Sequence, residues 1–183
     1  MKGLKFMSLT LAASTIAFSL SQIAHAEQIV DRQQQSSSYE NYANRALDSY
    51  EHHGNAGENA TFLFNSQFIK ALDSGHLNFN GYNINQDNDD NIQYKKVYDQ
   101  EVRATSDHTA ASVSFIVKDQ SVTINQMKKA YNNSKLNHIT QATHHKDYPN
   151  DGVYVYHGEQ IHLQFRVDEG YVTTVTIGQG ENE

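Results

Sequence analysis

The last third of the chain alternates between apolar and polar residues in three short stretches. The stretches are Val153–Tyr156, Ile161–Val167 and Tyr171–Ile177, with turns that contain Gly158 and Gly170. A repeat of two residues places successive side chains on opposite faces of a strand, so one face is buried and the other is wet. Short turns join neighbouring antiparallel strands, and the pattern therefore predicts a three-strand meander.

Two helices are predicted by their capping signals. Thr123 is followed three residues later by Gln126, the spacing of a capping box, and that helix runs to about Asn132. Upstream, Asn65 or Ser66 is suited to cap a helix that Gly75 would end. We expect both helices to cover the buried face of the sheet.

The segments between these helices add strands. Asn80-Gly81 lies between two apolar residues and predicts a hairpin turn, because both central positions of that turn need positive φ. Ile92–Ala104 is interpreted as one long, half-exposed strand, and Ala111–Val117 alternates. The predicted fold class is α+β, with an antiparallel β-sheet covered by two or three helices. The sheet would combine the C-terminal meander with an N-terminal hairpin and strands.

The first 26 residues have the layout of a secretory signal peptide. Lys2 and Lys5 precede the apolar stretch Phe6–Leu20, and Ala24-His25-Ala26 places small residues at the cleavage site. The stretch is short for a membrane span, which needs about 20 apolar residues. We therefore expect a secreted protein, extracellular or loosely associated with the cell surface, with no membrane insertion after cleavage.

Domain organisation and charge follow from the predicted cleavage. Residues 27–58 are interpreted as a flexible Gln/Ser leader and a weak helix that ends near Tyr50, and residues 59–183 as a single α+β domain. Loss of Lys2 and Lys5 leaves 12 of the 14 Lys and Arg against 21 Asp and Glu, a formal charge of −9. This charge excludes a nucleic-acid binder of obviously basic composition.

Signatures of catalysis are missing from the sequence. It contains no Cys, no Gly-x-Ser-x-Gly motif, no glycine-rich phosphate loop and no His-Glu-x-x-His motif. The histidines show no ordered ligand spacing, whereas a metal site needs three or four converging ligands. We expect no catalytic residues, no metal site and no cofactor.

Positive residues gather in the middle of the chain and on the second helix. They are candidates for binding a polyanion, and His144 and His145 join them because they adjoin a lysine. The candidate set is Lys95, Lys96, Arg103, Lys128, Lys129, Lys135, His144, His145 and Lys146. The alternation of Tyr154 and Tyr156 with two valines leaves open whether this pair stacks bases or packs against a loop.

An ordered series of short segments resembles the immunodominant staphylococcal antigen B family. The series covers most of the chain from Asn59 to Gly178. Its segments are Asn59–Phe64, Phe68–Leu72, Asn78–Gly81, Lys96–Gln100, Phe115–Lys118, Lys129–Tyr131, Phe165–Asp168 and Val175–Gly178. The resemblance implies a small secreted or surface-bound antigen that interacts with the host and binds nucleic acid without sequence preference. It implies no catalytic residue.

Three functions remain open at this point. The first is binding of extracellular DNA, RNA or another polyanion without sequence specificity. The second is a host-protein-binding, adhesin-like virulence module with no nucleic-acid binding, and the third is a hydrolase or inhibitor with an unrecognised site. For the first function we expect binding to strengthen as pH falls, because histidine titrates near pH 6.5 and nine histidines remain after cleavage.

Overall fold

The computed structural model describes residues 48–87, 91–131, 135–140 and 147–179. These residues form ten strands, which belong to one curled sheet. The strands are β1 (Tyr50–His52), β2 (Leu77–Phe79), β3 (Tyr82–Ile84), β4 (Gln93–Val97), β5 (Gln100–Ala104), β6 (Thr109–Ile116), β7 (Leu136–Thr140), β8 (Gly152–His157), β9 (His162–Asp168) and β10 (Tyr171–Gly178).

Two α-helices and a 3₁₀ helix accompany the strands. The 3₁₀ helix Ala60–Phe64 leads into α1 (Ser66–Ser74), and α2 spans Ile124–Ala130. Their predicted caps are confirmed, because the Asn65 side chain accepts a hydrogen bond from the backbone of α1 and Gly75 ends that helix in the left-handed conformation. Both hydrogen bonds of the capping box between Thr123 and Gln126 are present in α2.

The sheet is mixed, and this corrects the predicted fold class of an antiparallel sheet covered by helices. Its order is β1-β2-β3-β6-β10-β9-β8-β7, with β5 on β6 and β4 on β5. The C-terminal meander is antiparallel as predicted, but β1 pairs with β2 and β3 pairs with β6 in parallel. Parallel neighbours need a connection that crosses back along the sheet. The 3₁₀ helix and α1 make the first crossover, and the β4–β5 hairpin lies in the second.

Three local expectations are also wrong. The long strand predicted from Ile92 to Ala104 is the β4–β5 hairpin, which turns at Tyr98 with a φ of 55°. No strand is predicted between α2 and β8, whereas the structure has β7 there, paired with β8. In β10 a bulge between Val172 and Thr174 shifts the alternation, so Val172 is buried and Thr173 is not.

Several predictions concern residues outside those described. The signal peptide, the Gln/Ser leader and most of the predicted weak helix belong to this group, whereas Tyr50, the last residue of that helix, begins β1. The boundary at residue 59 stays a prediction. Within the described ranges, no helix is both long enough and apolar enough to cross a membrane.

The core lies on one face of the sheet, under α1 and α2. Phe165 of β9 is fully buried, and its ring centroid lies 5.1 Å from that of Tyr131, the C-cap of α2. The Tyr131 hydroxyl donates to the carbonyl of Leu63, at 2.7 Å. On the α1 side, Leu72 accepts the backbone N–H of Ile161. The end of α2 therefore packs on the buried face of the meander through Tyr131, whereas α1 lies near β1 and β2 and is hydrogen-bonded to the turn between β8 and β9.

Asp99 clamps an irregular segment against the β4–β5 turn. Its two carboxylate oxygens accept hydrogen bonds from the backbone N–H groups of Ala56 and Gly57, each at 2.8 Å. The side-chain amide of Gln100 donates a further hydrogen bond to Oδ1 of Asp99. Partial burial acts to raise the pKa of Asp99, but these hydrogen bonds outweigh it and hold the pKa below its ordinary value. The ionised carboxylate thus ties the segment before the 3₁₀ helix to the hairpin.

We expect Asp99→Asn to lower the free energy of unfolding by about 1.5–3 kcal/mol at pH 7, because bonds to a charged acceptor are lost. A lowered native pKa stabilises the fold above the unfolded value of 3.8 and loses this effect as pH falls through the native pKa. Urea unfolding from pH 7 to pH 3 should show the variant and the unsubstituted protein converging below pH 4. A constant difference across that range would contradict an ionised clamp.

Candidate ligand-binding face

The face of the sheet opposite to the core is continuous across seven strands. Directly paired residues project to the same side of a sheet, so the register identifies its members. The middle row runs through Lys96, Glu101, Ser114, Thr176, Gln164, Val155 and Asn137. The flanking rows contain Tyr94, Arg103, Ser112 and Gly178 on one side and Ile116, Thr174, Arg166, Val153 and Ile139 on the other. We call these three rows the polar face.

Side-chain geometry supports this assignment. The hydroxyls of Ser114 and Thr176, on neighbouring strands, lie 2.9 Å apart and form a hydrogen bond. Val155 is buried but does not belong to the core cluster that contains Tyr154 and Tyr156. Adjacent residues of β8 therefore project to opposite faces, as a pleated strand requires.

The polar face is locally positive in an acidic protein. Its three rows contain the cations Lys96, Arg103 and Arg166 and the single carboxylate Glu101, which is paired across the strands with Lys96. The whole chain, in contrast, has a formal charge of −7. Positive charge on this face is thus a property of the fold and is absent from the bulk composition.

A trough of about 300 Å³ lies in the polar face where β4, β5, β6, β9 and β10 meet. Its lining is hydroxyl, amide and charged side chains with one aromatic ring, and it includes Tyr94, Glu101, Arg103, Ser114, Thr176 and Gln179. The Tyr94 side chain is 67% exposed. The trough can therefore offer hydrogen-bond donors and acceptors beside an accessible ring.

Arg103 is the most constrained cation of the trough. It extends from β5, and its Nη1 donates to the carbonyl of Gln179 at 3.0 Å. Its Nε atom and the Gln179 Oε1 atom are buried, and neither has a hydrogen-bond partner among the described residues. Buried polar atoms in native proteins nearly always have a partner, which includes water or a ligand. The trough walls thus hold one donor and one acceptor that no described residue engages.

The predicted cations fall on different sides of the sheet. Lys96 and Arg103 belong to the polar face, in β4 and β5. Lys128 and Lys129 occupy the last turn of α2, which packs on the core side, and the Lys128 ammonium lies 5.1 Å from the centroid of the Tyr154 ring. The fold thus places Lys96 and Arg103 on the same face and leaves Lys128 and Lys129 apart from them.

Lys95 and Lys135 have acidic neighbours of their own. Lys95 is paired with the buried Val102, so it projects to the side opposite to Lys96, and its Nζ lies 3.6 Å from Asp107. The Lys135 ammonium lies 3.2 Å from Asp73 and 3.6 Å from Glu159. The hydrogen bond to Asp73 raises the pKa of Lys135. Both lysines are therefore partly neutralised within the protein.

Three predicted site residues, His144, His145 and Lys146, lie outside the described residues. The predicted set omits two members of the polar face, Arg166 and Tyr94. Arg166 alternates with the core residues of β9, which was the available signal for its exposure. Its position among the other cations depends on strand order, which no local pattern specifies.

Tyr154 and Tyr156 do not form an exposed stacking pair. Both are buried on the core face, with 2% and 3% exposure, and the Tyr154 hydroxyl donates to the carbonyl of Asn150 at 2.7 Å. Burial raises the pKa of both phenols. Within the ranges that the structure covers, no three His, Asp or Glu side chains are grouped as a metal site would need.

Comparison with known proteins places the chain in a family. The sequence model of immunodominant staphylococcal antigen B matches residues 49–177, which include the sheet from β1 through almost all of β10. The chain belongs to the immunodominant staphylococcal antigen B family. This confirms the resemblance seen in the ordered sequence segments.

The curated members of the antigen B family that match are from Staphylococcus aureus. Proteins named immunodominant staphylococcal antigen B from strains USA300, NCTC 8325 / PS 47 and COL are each 28% identical to this chain over 133 residues. The matched segment covers 70% of this chain and 72% of each relative. No solved structure matches the chain.

Proposed function

We propose that this member of the antigen B family is a secreted or surface-associated protein that binds nucleic acid or another polyanion non-enzymatically, without sequence specificity. The observation that carries the proposal is the polar face, where Lys96, Arg103 and Arg166 accompany one carboxylate in a protein of net negative charge. Phosphates attract such cations and release condensed counterions when they bind. The name of the relatives, an antigen of staphylococci, supports an extracellular or surface location.

The proposed binding is weak at neutral pH and strengthens in mild acid. Three cations give a small electrostatic contribution, and the acidic remainder of the protein opposes a polyanion at longer range. Protonation of histidines reduces that opposition. His157 and His162 form a cross-strand pair beside the polar face, with ring centroids 4.8 Å apart.

The test is fluorescence anisotropy with a labelled single-stranded oligonucleotide at several pH values and salt concentrations. We expect the double substitution Lys96→Ala/Arg166→Ala to weaken binding about tenfold and to reduce the slope of log affinity against log salt by roughly 0.7–1 for each cation removed. The matched control is Lys128→Ala/Lys129→Ala, which removes the same charge from α2 and should change binding little.

Different outcomes of this experiment test the location of the binding site and the proposed function. A loss of binding in the α2 variant but not in the polar-face variant would move the site to the helix. Absence of binding at low salt and pH 5.5 would contradict polyanion binding altogether, and so would an affinity that does not respond to salt.

A second candidate function, binding of a host protein, is favoured by one observation. The outer row of the polar face carries Ile116 and Ile139, which are 68% and 57% exposed and lie on different strands of the same face. Three strands separate the two side chains, so each would serve as an apolar anchor at one end of a contact made along this row. Capture of a host protein from extracellular material that Ile116→Asp abolishes, without any effect on oligonucleotide binding, would support this alternative.

A further inference from the structure

We propose that the trough of the polar face holds one unstacked base of a single-stranded nucleic acid, while the surrounding cations contact phosphates. The inference rests on the proposed function and goes further, because it assigns the base and the backbone to different residues. It makes recognition depend on the strandedness of the nucleic acid.

The charge of the trough argues against a phosphate inside it. Glu101 and Arg103 are two residues apart on β5 and project to the same face, so one carboxylate adjoins one guanidinium. A phosphate there would be attracted by Arg103 and repelled by Glu101. An uncharged group avoids this conflict, and the cations Lys96 and Arg166 in the neighbouring positions remain available for the flanking phosphates.

The chemistry of the lining fits the edge of a base. A base presents hydrogen-bond donors and acceptors side by side, and the trough offers a carboxylate acceptor beside a guanidinium donor. Arg103 Nε and Gln179 Oε1, a donor and an acceptor that no described residue engages, are buried within the same walls. The Ser114 and Thr176 hydroxyls supply further polar atoms on the floor.

The position of Tyr94 supplies a stacking surface. It is paired across the strands with Arg103, lines the trough and is exposed over two thirds of its area. Aromatic rings stack on any base, so this contact is tolerant of sequence. The volume of about 300 Å³ is at the lower end of ligand sites, which suits one ring system better than a stacked pair. Bases in a duplex are stacked and paired, so only a single strand can deliver one to the trough.

The experiment compares three labelled ligands of equal length and backbone charge per strand: a single-stranded oligonucleotide, the same strand without bases, and the duplex. At one salt concentration and pH 6, we expect the base-containing single strand to bind at least fivefold more tightly than the abasic strand. The duplex carries twice the charge, and the salt dependence of binding corrects for this difference. After that correction, its affinity should equal that of the abasic strand.

Variants then locate the base. Tyr94→Ala and Glu101→Gln should each remove most of the advantage of the base-containing strand, and Tyr94→Ala should leave the salt slope unchanged. Tyr98→Asn is the matched control, because it removes another exposed ring of the same hairpin at a position whose positive φ asparagine tolerates. Its binding should equal that of the unsubstituted protein.

Each result bears on a different statement. Equal binding of the abasic and base-containing strands overturns the base site and leaves polyanion binding intact. If no oligonucleotide binds, the proposed function is contradicted and the base site with it. A trough that instead binds a free sugar oligomer, with loss of that binding in Tyr94→Ala and no effect of bases, also overturns the inference, since a pyranose ring uses the same kinds of contact.

Discussion

Phe165→Ala should lower the free energy of unfolding by about 3–5 kcal/mol, the range for removing a buried aromatic side chain. Phe165 is fully buried at the centre of the meander, paired across strands with Tyr154 and Val175 and packed against Tyr131. The substitution leaves a cavity between the sheet and α2, the helix that Tyr131 ends. Urea unfolding followed by circular dichroism measures the change.

The control for this substitution is Ile116→Ala, on the opposite face of the sheet. Ile116 is 68% exposed, so its truncation should change stability by no more than about 0.5 kcal/mol. A cost below about 1.5 kcal/mol for Phe165→Ala, or similar costs for the two variants, would show that the core does not lie on the face assigned to it.

Gly178→Ala should lower stability more than Gly81→Ala, although both glycines have nearly the same φ. Their φ angles are +92° and +90°, which an alanine adopts at a cost of about 1–2 kcal/mol. A Cβ at Gly81 would meet nothing within 4 Å, whereas one at Gly178 would overlap the carbonyl oxygen of Ala111 on the neighbouring strand. Overpacking adds about 1–3 kcal/mol to the second variant.

The difference between these two glycine variants includes the steric effect of strand pairing. In thermal or urea unfolding, the free energy of unfolding of Gly178→Ala should be lower than that of Gly81→Ala by at least about 1 kcal/mol. Equal stabilities would mean that β6 and β10 separate at this point without penalty. The pairing of Gly178 with Ser112 would then not be firm in solution.

The predictions that are confirmed rest on local chemistry. The capping box of α2 and the Gly75 cap of α1 depend on side chains within a few residues of each helix end. The Asn80-Gly81 turn depends on two residues that accept positive φ, and both have it. Such features are visible in sequence because the atoms that cause them are neighbours in the chain.

The β4–β5 hairpin shows why a local pattern fails. Its turn uses Tyr98 at positive φ, an unusual conformation for that residue, and the following Asp99 is held by backbone N–H groups more than forty residues away. Neither the conformation nor the partner has a signature near Tyr98. Apolar periodicity alone therefore favoured one strand where the tertiary contact stabilises two.

The antiparallel meander, the caps of the two helices and the family resemblance could be predicted before the fold was known, because each depends on short-range order along the chain. The mixed sheet could not be predicted in this way, nor could the placement of Lys96, Arg103 and Arg166 on one face, apart from Lys128 and Lys129. Strand order and register join residues that are distant in sequence. The charge and shape of the candidate site are therefore properties of the pairing.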